Sequence, residues 1–236
     1  MFGRRLINTQ QGGGCTTDTL QILGDTSCIA TYRLNGDATD LSGNYNGTAT
    51  SVTYVSGLFG DAGSFNGSST SFLDLSALDS FFYNSGNFLN FTISLWFKSS
   101  SVGVYYIFID YNGSFKSEIT LNENGKIKVG TRYGATDVIF TSVDSYDDNT
   151  WHHIVVTGNA STLERKTYID NTHLNTMSVS AAGYTVAGGD NRTTIGNLYA
   201  AGVQYGGLNG SIDQVRIFNK AISATEVTTL YNEVAC

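Results

Sequence analysis

The residues of this 236-residue chain that could carry acid–base chemistry are scattered carboxylates. Hydrolysis of a glycosidic bond needs two carboxyl groups roughly 5–10 Å apart, one acting as an acid and the other as a base or nucleophile. Glu118 and Glu123 flank the segment ITLN, and their odd spacing places them on opposite faces of a continuous strand. Asp147 and Asp148 precede Trp151 in a polar turn, where carboxylates cap and solvate the backbone. Neither pair is arranged for hydrolysis.

Other catalytic signatures are also missing from the sequence. It contains no Gly-x-Ser-x-Gly nucleophile motif, no zinc-type cluster of histidine and cysteine, and no phosphate-binding glycine loop. His152 and His153 are adjacent in a predicted strand and point to opposite faces, which favours one buried, hydrogen-bonded histidine and one surface histidine. We therefore predict no catalytic residue and a protein that is not an enzyme.

Tyrosines are the side chains best suited to recognise a ligand. Sugars present apolar C–H faces that stack on aromatic rings, while polar side chains bind the hydroxyl groups. Tyr199 and Tyr205 bracket the segment YAAGVQYGG, which offers little to bury them, whereas tyrosines within strands can also be core residues. The predicted ligand-binding residues are Tyr105, Tyr111, Tyr133, Tyr199 and Tyr205, with Tyr106 next to the first.

The elements that must position these residues are short strands separated by turns. Phe91 opens the clearest strand, FTISLWFK, in which alternation puts Ile93, Leu95 and Phe97 on one face and Trp96 on the other. Turn signals recur about every ten residues, which is typical of an all-β sandwich of two antiparallel sheets. We expect Trp96 and Trp151 to fill the gap between the sheets. The predicted strands cover residues 29–34, 52–55, 62–65, 72–75, 91–98, 105–111, 118–121, 126–132, 137–140, 151–157, 166–169, 192–196 and 210–218.

A short helix should close the chain. Ser223 is followed three residues later by Glu226, the spacing of a capping box, and Val227, Leu230 and Tyr231 then share one helical face. At the other end, residues 1–26 contain a Gly-Gly-Gly run and no strand period, which indicates an extended arm. We predict this arm and one β-sandwich domain over residues 27–236, with no second domain.

Charge and hydropathy exclude several classes of protein. The net charge is −7 without clustered lysine and arginine, so binding to nucleic acid is not expected. No segment is long and apolar enough to cross a membrane, and Arg4 and Arg5 are not followed by the apolar region of a signal peptide. We therefore expect neither a membrane partner nor secretion through a signal peptide.

Six motifs in a fixed order identify a family resemblance over residues 29–231. They are YRLNGDATDLSGNYNGT, GDAGSFNGSSTSFLDL, FTISLWFKSS with NTWHHIVVTGNA, KTYIDNTHL, RTTIGN and LNGSIDQVRIFNKAIS. The chain thus resembles laminin G-like domains of the concanavalin A-like lectin/glucanase superfamily. The resemblance implies a jelly-roll β-sandwich that binds a ligand, because the Glu-x-Asp-x-x-Glu cluster of the glucanases with this fold does not occur here.

The resemblance also implies a structural Ca²⁺ ion. Family members often hold calcium with oxygen atoms from an early Asp-containing loop and the closing strand, and the matching positions are Asp40, Asn44 and Asp213. This chain has Gln214 where the family commonly has a second acid. The alternative is that Asp40 and Asn44 bond only to their own turn.

The three cysteines leave one residue over after any pairing. In the jelly roll that the chain resembles, the first and last strands lie side by side, which implies a Cys28–Cys236 disulfide. Buried, unpaired thiols are the alternative. Cys15 is then spare, as a free thiol or for a neighbouring subunit.

The composition and the arm resemble virion-surface proteins of bacteriophages that carry laminin G-like modules. We therefore predict a fibre, spike or decoration subunit located on the virion surface, docked to other virion proteins through residues 1–26. It would form a homo-oligomer and bind a host glycan or receptor. A cellular carbohydrate-binding or adhesion module and a glycoside hydrolase of the same fold remain alternatives.

Overall fold

A computed structural model describes the chain over residues 19–82, 89–101, 103–111, 115–133, 136–179 and 192–234. The strands are β1 Cys28–Tyr32, β2 Thr48–Thr50, β3 Thr53–Ser56, β4 Asp61–Asn66, β5 Phe72–Asp74, β6 Phe91–Ser99, β7 Tyr105–Tyr111, β8 Phe115–Leu121, β9 Lys126–Tyr133, β10 Thr136–Ser145, β11 His152–Asn159, β12 Glu164–Ile169, β13 Thr172–Ser178, β14 Arg192–Ile195, β15 Leu198–Ala200, β16 Val203–Tyr205 and β17 Asn209–Phe218. The helices are a 3₁₀ turn at Ser76–Leu78, α1 Asp79–Phe82 and α2 Ala224–Tyr231.

The strands form two antiparallel sheets and a small hairpin. The eight-stranded sheet has the order β13-β12-β11-β6-β17-β4-β3, with β1 also paired to β17, and the seven-stranded sheet has the order β10-β9-β8-β7-β14-β5-β2. Ile93, Leu95 and Phe97 of β6 belong to the buried core cluster that also contains Ile119 and Val129 of the other sheet. The predicted all-β, concanavalin A-like sandwich is therefore confirmed, as is the face assignment of β6.

Strand β17 is the centre of the eight-stranded sheet. One edge pairs with β6 along most of its length, while the other edge pairs first with β4 and then with β1. Between Asp213 and Arg216 the register with β6 shifts, and Gln214 adopts a positive φ of 47°. A bulge of this kind bends a strand locally. Here the bulge lies at the point where the neighbouring strand of β17 changes from β4 to β1.

The outer face of the eight-stranded sheet is covered. Val227 and Leu230 of α2 form a second buried cluster with Val155 and Phe218, and Leu20, Ile22 and Leu23 pack against it. The capping box predicted for α2 is confirmed, because the Ser223 hydroxyl accepts from the Glu226 N–H and the Glu226 side chain accepts from the Ser223 N–H. No helix in the described ranges is long and apolar enough to cross a membrane.

Part of the predicted arm therefore lies on the domain. The Thr19 carbonyl accepts a hydrogen bond from Arg216 Nη1 at 2.9 Å, and Asp25 forms an ion pair with Lys220. Lys220 also pairs with Glu226. These contacts with Lys220 hold the pKa of the Asp25 and Glu226 carboxyls below their ordinary values. Residues 1–18 lie outside the described residues, so a docking arm stays a prediction for them.

A buried ion pair joins the segment after α2 to β17. Arg216 Nη2 lies 3.1 Å from Glu233 Oε2, and both side chains are almost completely buried. Arg216 Nη1 also donates to Thr31 Oγ1 at 3.3 Å. One guanidinium thus contacts β1, the segment before β1 and the residues after α2.

The expected position of the two tryptophans was wrong. Trp96 is buried, but on the outer face of the eight-stranded sheet, where it stacks with His153 at 4.9 Å and with Tyr231 at 5.6 Å between ring centroids. Trp151 precedes β11 and is only half-buried, with Lys98 Nζ 5.2 Å from its ring centroid. The error arose because a sheet covered on both faces can bury a large ring outside the inter-sheet core.

Four strands were missed in the sequence, and they are short or polar. They are β2, β13, β15 and β16. Strand β13 has the sequence THLNTMS with most side chains partly or fully exposed, so its pattern lacks apolar alternation. Such edge strands are recognised from their pairing partner, here β12.

We expect Glu233→Gln to destabilise the fold strongly. The change removes the charge of a buried carboxylate that contacts the Arg216 guanidinium, and breaking a buried ion pair costs about 3–5 kcal/mol of unfolding free energy in comparable proteins. Glu164→Gln is the matched control, because the Glu164–Lys166 pair is exposed and contributes at most about 1 kcal/mol. Urea unfolding of both variants makes the comparison, and equal losses would contradict a special role for the buried pair.

Candidate functional site

The outer face of the seven-stranded sheet carries a row of charged side chains and one tyrosine. Alternate residues of β8 and β9, such as Ile119 and Val129, point into the core, so their strand neighbours point outward. The strand register aligns one outward residue from each of five neighbouring strands, about 4.8 Å apart from strand to strand. In order across the sheet, this cross-strand row consists of Asp137, Arg132, Lys116, Tyr111 and Arg192.

Ion pairs hold the charged members of the row in place. Arg132 Nε and Nη2 each donate to one carboxylate oxygen of Asp137 at 2.9 Å, a two-point geometry that fixes both side chains. This contact with Arg132 holds the pKa of Asp137 below its ordinary value, and Asp137 in turn raises the pKa of Arg132. The charges are therefore present throughout the physiological pH range.

Glu118 lies in the adjacent row and anchors two lysines. Its Oε1 is 3.1 Å from Lys116 Nζ and 3.0 Å from Lys128 Nζ, while the glutamate itself is only 3 % exposed. A Cβ at Gly130, the residue paired with Glu118, would lie 2.6 Å from that oxygen. The glycine thus makes room for the carboxylate to lie flat on the sheet.

A second arginine lies beside the small β15–β16 hairpin. The Arg192 guanidinium carbon is 3.9 Å from the centroid of the Tyr199 ring, and Nη1 donates to Asp74 Oδ2 at 2.8 Å. Stacking on an aromatic face leaves the in-plane N–H groups of a guanidinium available. Because Tyr199 pairs with Gln204, Tyr205 lies on the opposite face of the hairpin, where it is 48 % exposed.

The structure separates the predicted ligand-binding tyrosines. Tyr111 and Tyr199 both lie beside Arg192, Tyr105 packs against the core, and Tyr205 remains exposed on the hairpin. Tyr133 ends β9, and its side chain lies outside the described residues. Tyr106 is half-buried, and its pKa is raised by burial and then by Glu118.

Sequence reasoning missed the charged members of this face. Lys116, Glu118, Lys128, Arg132 and Arg192 were not candidates, although the segments KSE and KIKVGTR place charges at every second or fourth position. That alternation indicates a polar strand face. It could have drawn attention to the surface, but it could not show which strands lie side by side.

The predicted calcium ligands bind separate pieces of backbone. Asp40 Oδ1 accepts from the Thr31 and Ser42 N–H groups, and Oδ2 accepts from the Tyr45 N–H and the Ser42 hydroxyl. Asp40 thus binds the backbone of its own turn and also that of β1. Asn44 is exposed, with its N–H bonded to the Ser42 hydroxyl.

Asp213 lies at the β17 bulge. Its Oδ2 accepts from the Leu58 N–H at 2.8 Å and the Phe59 N–H at 3.0 Å, which pins the β3–β4 turn onto β17. A Cβ at Gly57 would lie 2.7 Å from the same oxygen, so the turn can approach only with glycine there. The carboxylates of Asp40 and Asp213 thus each have backbone donors of their own. In the described ranges, no three His, Cys, Asp or Glu residues form a metal-binding group. The calcium ion stays a prediction.

Cys28 is buried, with its Sγ 3.5 Å from the Ala30 carbonyl oxygen, and forms no disulfide within the described residues. Burial raises the pKa of this thiol. Cys15 and Cys236 lie outside the described residues, so the Cys28–Cys236 disulfide and the role of Cys15 stay predictions.

Both adjacent histidines are buried, so the expected surface histidine was wrong. His153 Nε2 lies 2.8 Å from Ser94 Oγ under the covered face. On the other face of β11, His152 Nδ1 lies 2.7 Å from Asp170 Oδ2 and Nε2 lies 3.0 Å from Asp148 Oδ1. Burial lowers the pKa of His152, but Asp170 and then Asp148 outweigh it and raise the pKa above its ordinary value.

The buried carboxyl of Asp213 should make the unfolding free energy depend on pH. Burial raises the pKa of Asp213 from its ordinary value of 3.8 to about 6, so its contribution to stability is full below pH 3.8 and is lost as pH rises through about 6. Asp213→Asn keeps an oxygen for the two N–H donors and removes this titration. Its unfolding free energy relative to the parent chain should rise by up to about 3 kcal/mol between about pH 4 and about pH 7. Urea unfolding at both pH values tests this, and a pH-independent difference would contradict it.

The fold has known relatives among solved structures. Domain 4 of AbnA, a GH43 extracellular arabinanase from Geobacillus stearothermophilus, solved in complex with arabinotriose, aligns with a TM-score of 0.68 and 19 % identity over 87 % of this chain and 98 % of that domain. The binding domain of Paraclostridial Mosquitocidal Protein 1 aligns with a TM-score of 0.67 and 19 % identity over 86 % of this chain. A botulinum neurotoxin type C structure, described by its interaction with two ganglioside molecules, aligns with a TM-score of 0.66 and 18 % identity over 87 % of this chain.

The alignments with the two toxins cover 51 % of each toxin chain. At these identities, the similarity shows a shared fold. No curated protein sequence matches the chain. A family profile, however, matches residues 67–228, which is more than two thirds of the sequence. Strands β5 to β17 and the start of α2, including the cross-strand row, lie within this match. The chain belongs to the laminin G family of the concanavalin A-like lectin/glucanases superfamily.

Proposed function

We propose that this chain is a non-enzymatic binding module on a virion surface that recognises a glycan or a glycosylated receptor. The observation that carries the proposal is the difference between the two outer sheet faces. Helix α2 and residues 20–23 bury the outer face of the eight-stranded sheet. The outer face of the seven-stranded sheet presents Tyr111, Arg192 and their neighbours, which remain partly exposed.

The chemistry of this face suits sugars. The rings of Tyr111 and Tyr199 offer apolar surfaces for C–H groups, and the charged side chains between and beside them offer donors and acceptors for hydroxyl groups. Ion pairing already restricts Arg132, Lys116 and Arg192, so less side-chain entropy is lost when a ligand binds. The same pairing argues against catalysis, because Glu118 is held between two lysines and Asp137, the carboxylate of the row, is held by Arg132.

The structural relatives support a binding role. One is a domain bound to arabinotriose, another is a toxin binding domain, and the third is a neurotoxin whose cell entry depends on gangliosides. Two of the three descriptions thus name a carbohydrate or a glycolipid, and the other names a binding domain. The proposal extends that use of the fold to the present chain.

The virion location is supported by sequence features. The glycine-rich residues 1–18 precede a segment that packs on the domain, which suits a tether leading from a particle to an outward domain. Such subunits assemble by symmetry, so the proposal includes a homo-oligomer and contacts with other virion proteins. Calcium bound through Asp40, Asn44 and Asp213 remains part of the proposal as a structural ion.

Tyr111→Ala and Tyr199→Ala should each weaken glycan binding about tenfold or more, because each removes an apolar stacking surface at the centre of the site. The measurement is binding of the labelled full-length chain to a glycan microarray, followed by titration of the best glycan. His173→Ala is the matched control, because its exposed ring lies on edge strand β13 of the other sheet. Strong binding that neither tyrosine variant changes would place recognition elsewhere, and a blank array with folded protein would refute the proposed glycan binding.

Antibodies against the full-length chain should label particles in lysates of cells that carry its coding sequence. Electron microscopy with gold-conjugated antibodies is the measurement, and light scattering of the purified chain should give a multiple of the chain mass. Label found only on cell envelopes would favour a cellular adhesion module instead.

A further inference from the structure

We propose that the ligand of the cross-strand row is an acidic polysaccharide, in which sugar rings stack on tyrosine and carboxylates bind the flanking cations. This inference rests on the proposed glycan-binding function and specifies its ligand class. The row places three cations on neighbouring strands of an otherwise acidic protein. Its five residues include three cations and one acid, although the chain carries a net charge of −7.

Arg192 is the residue of the row whose side chain is best positioned to bind a carboxylate. Tyr199 supports one face of the guanidinium at 3.9 Å, and Asp74 holds Nη1 at 2.8 Å. The side chain is 32 % exposed, and within the described ranges these two contacts leave its Nε and Nη2 donors for a ligand. A guanidinium fixed in this way presents a planar pair of donors that matches the two oxygens of a carboxylate.

The order of side chains along the row provides alternating contacts. Tyr111 lies between Lys116 and Arg192, with one strand on either side. The two cations are therefore about 10 Å apart, twice the spacing between neighbouring strands. A sugar ring over Tyr111 would have a cation available at each end, which suits a chain whose acidic groups recur along its length.

Asp137 ends the row beside Arg132, and the other two acids that pair with its cations lie to one side of the row. Glu118 and Asp74 both belong to the next row of the sheet, where Glu118 pairs with Ile109 and Asp74 with Thr194. The three positive groups thus form a line that has Asp137 at one end and the other two acids along one edge. A ligand with carboxylates in a line can follow the positive row, whereas a neutral ligand gains nothing from that arrangement.

The test compares acidic polysaccharides with their neutral counterparts. Polygalacturonate, alginate and hyaluronan are each titrated into the full-length chain by calorimetry, together with the same polymers after chemical reduction of their carboxyl groups. Polyglutamate serves as a polyanion without sugar rings. At least one acidic polymer should bind at least tenfold more tightly than its reduced form and than polyglutamate, with affinity falling as salt rises.

Charge-removing variants locate the effect. Arg192→Gln and Lys116→Gln should each weaken binding of the acidic polymer at least fivefold, and each should weaken any binding of the reduced polymer by a smaller factor. Lys166→Gln is the matched control, because it removes the same charge from β12 of the other sheet, where Lys166 is exposed. Circular dichroism of each variant confirms the fold.

The possible results separate this inference from the proposed function. Equal binding of acidic and reduced polymers overturns the acidic ligand and leaves glycan binding standing. Binding to neutral microarray glycans alone has the same meaning. Equal binding of polyglutamate overturns recognition of a sugar acid. Loss of binding in the Lys166 variant as large as in the Arg192 variant overturns the assignment to the row. A folded chain that binds neither these polymers nor any microarray glycan overturns both proposals.

Discussion

The rest of the structure depends on the way in which β17 is held in the middle of the eight-stranded sheet. This strand exchanges β4 for β1 along one edge, and a bulge with a positive φ at Gln214 accommodates the exchange. Two buried charged residues flank the bulge. Asp213 binds the backbone of the β3–β4 turn, and Arg216 joins β1 to the segment after α2 through its ion pair with Glu233. Because a buried charge is costly without its partners, these contacts specify one arrangement of the neighbouring segments.

The site follows from the asymmetry that this arrangement creates. The Arg216–Glu233 pair draws the residues after α2 and those before β1 onto one outer face, where apolar side chains bury it. The seven-stranded sheet keeps its charged outer face, where the ion pairs fix the positions of side chains more than they stabilise the fold. Exposed pairs such as Arg132–Asp137 contribute little to folding, but a two-point geometry fixes the orientation of both side chains.

Much of the fold could be predicted from local patterns. The alternation in FTISLWFK assigned the two faces of β6 correctly, and Ser223 with Glu226 located the start of α2. The missed strands β13, β15 and β16 lack that alternation, because edge strands and small hairpins are stabilised by their partners more than by their own composition. Trp96 was assigned to the wrong layer for a related reason. Its burial depends on Tyr231, which a helix far along the chain brings to it.

By itself, the sequence determined the fold class, the family resemblance and the capped helix, because each rests on residue types at short, fixed spacing. Of five candidate tyrosines, the tertiary structure brought Tyr111 and Tyr199 together with Arg192 and gave Asp213 a backbone role. Only the strand register could align Arg132, Lys116 and Arg192 in one row. The physical reason is that hydrogen bonds between strands join residues distant in sequence, and the choice of partners depends on burial of both sheets together.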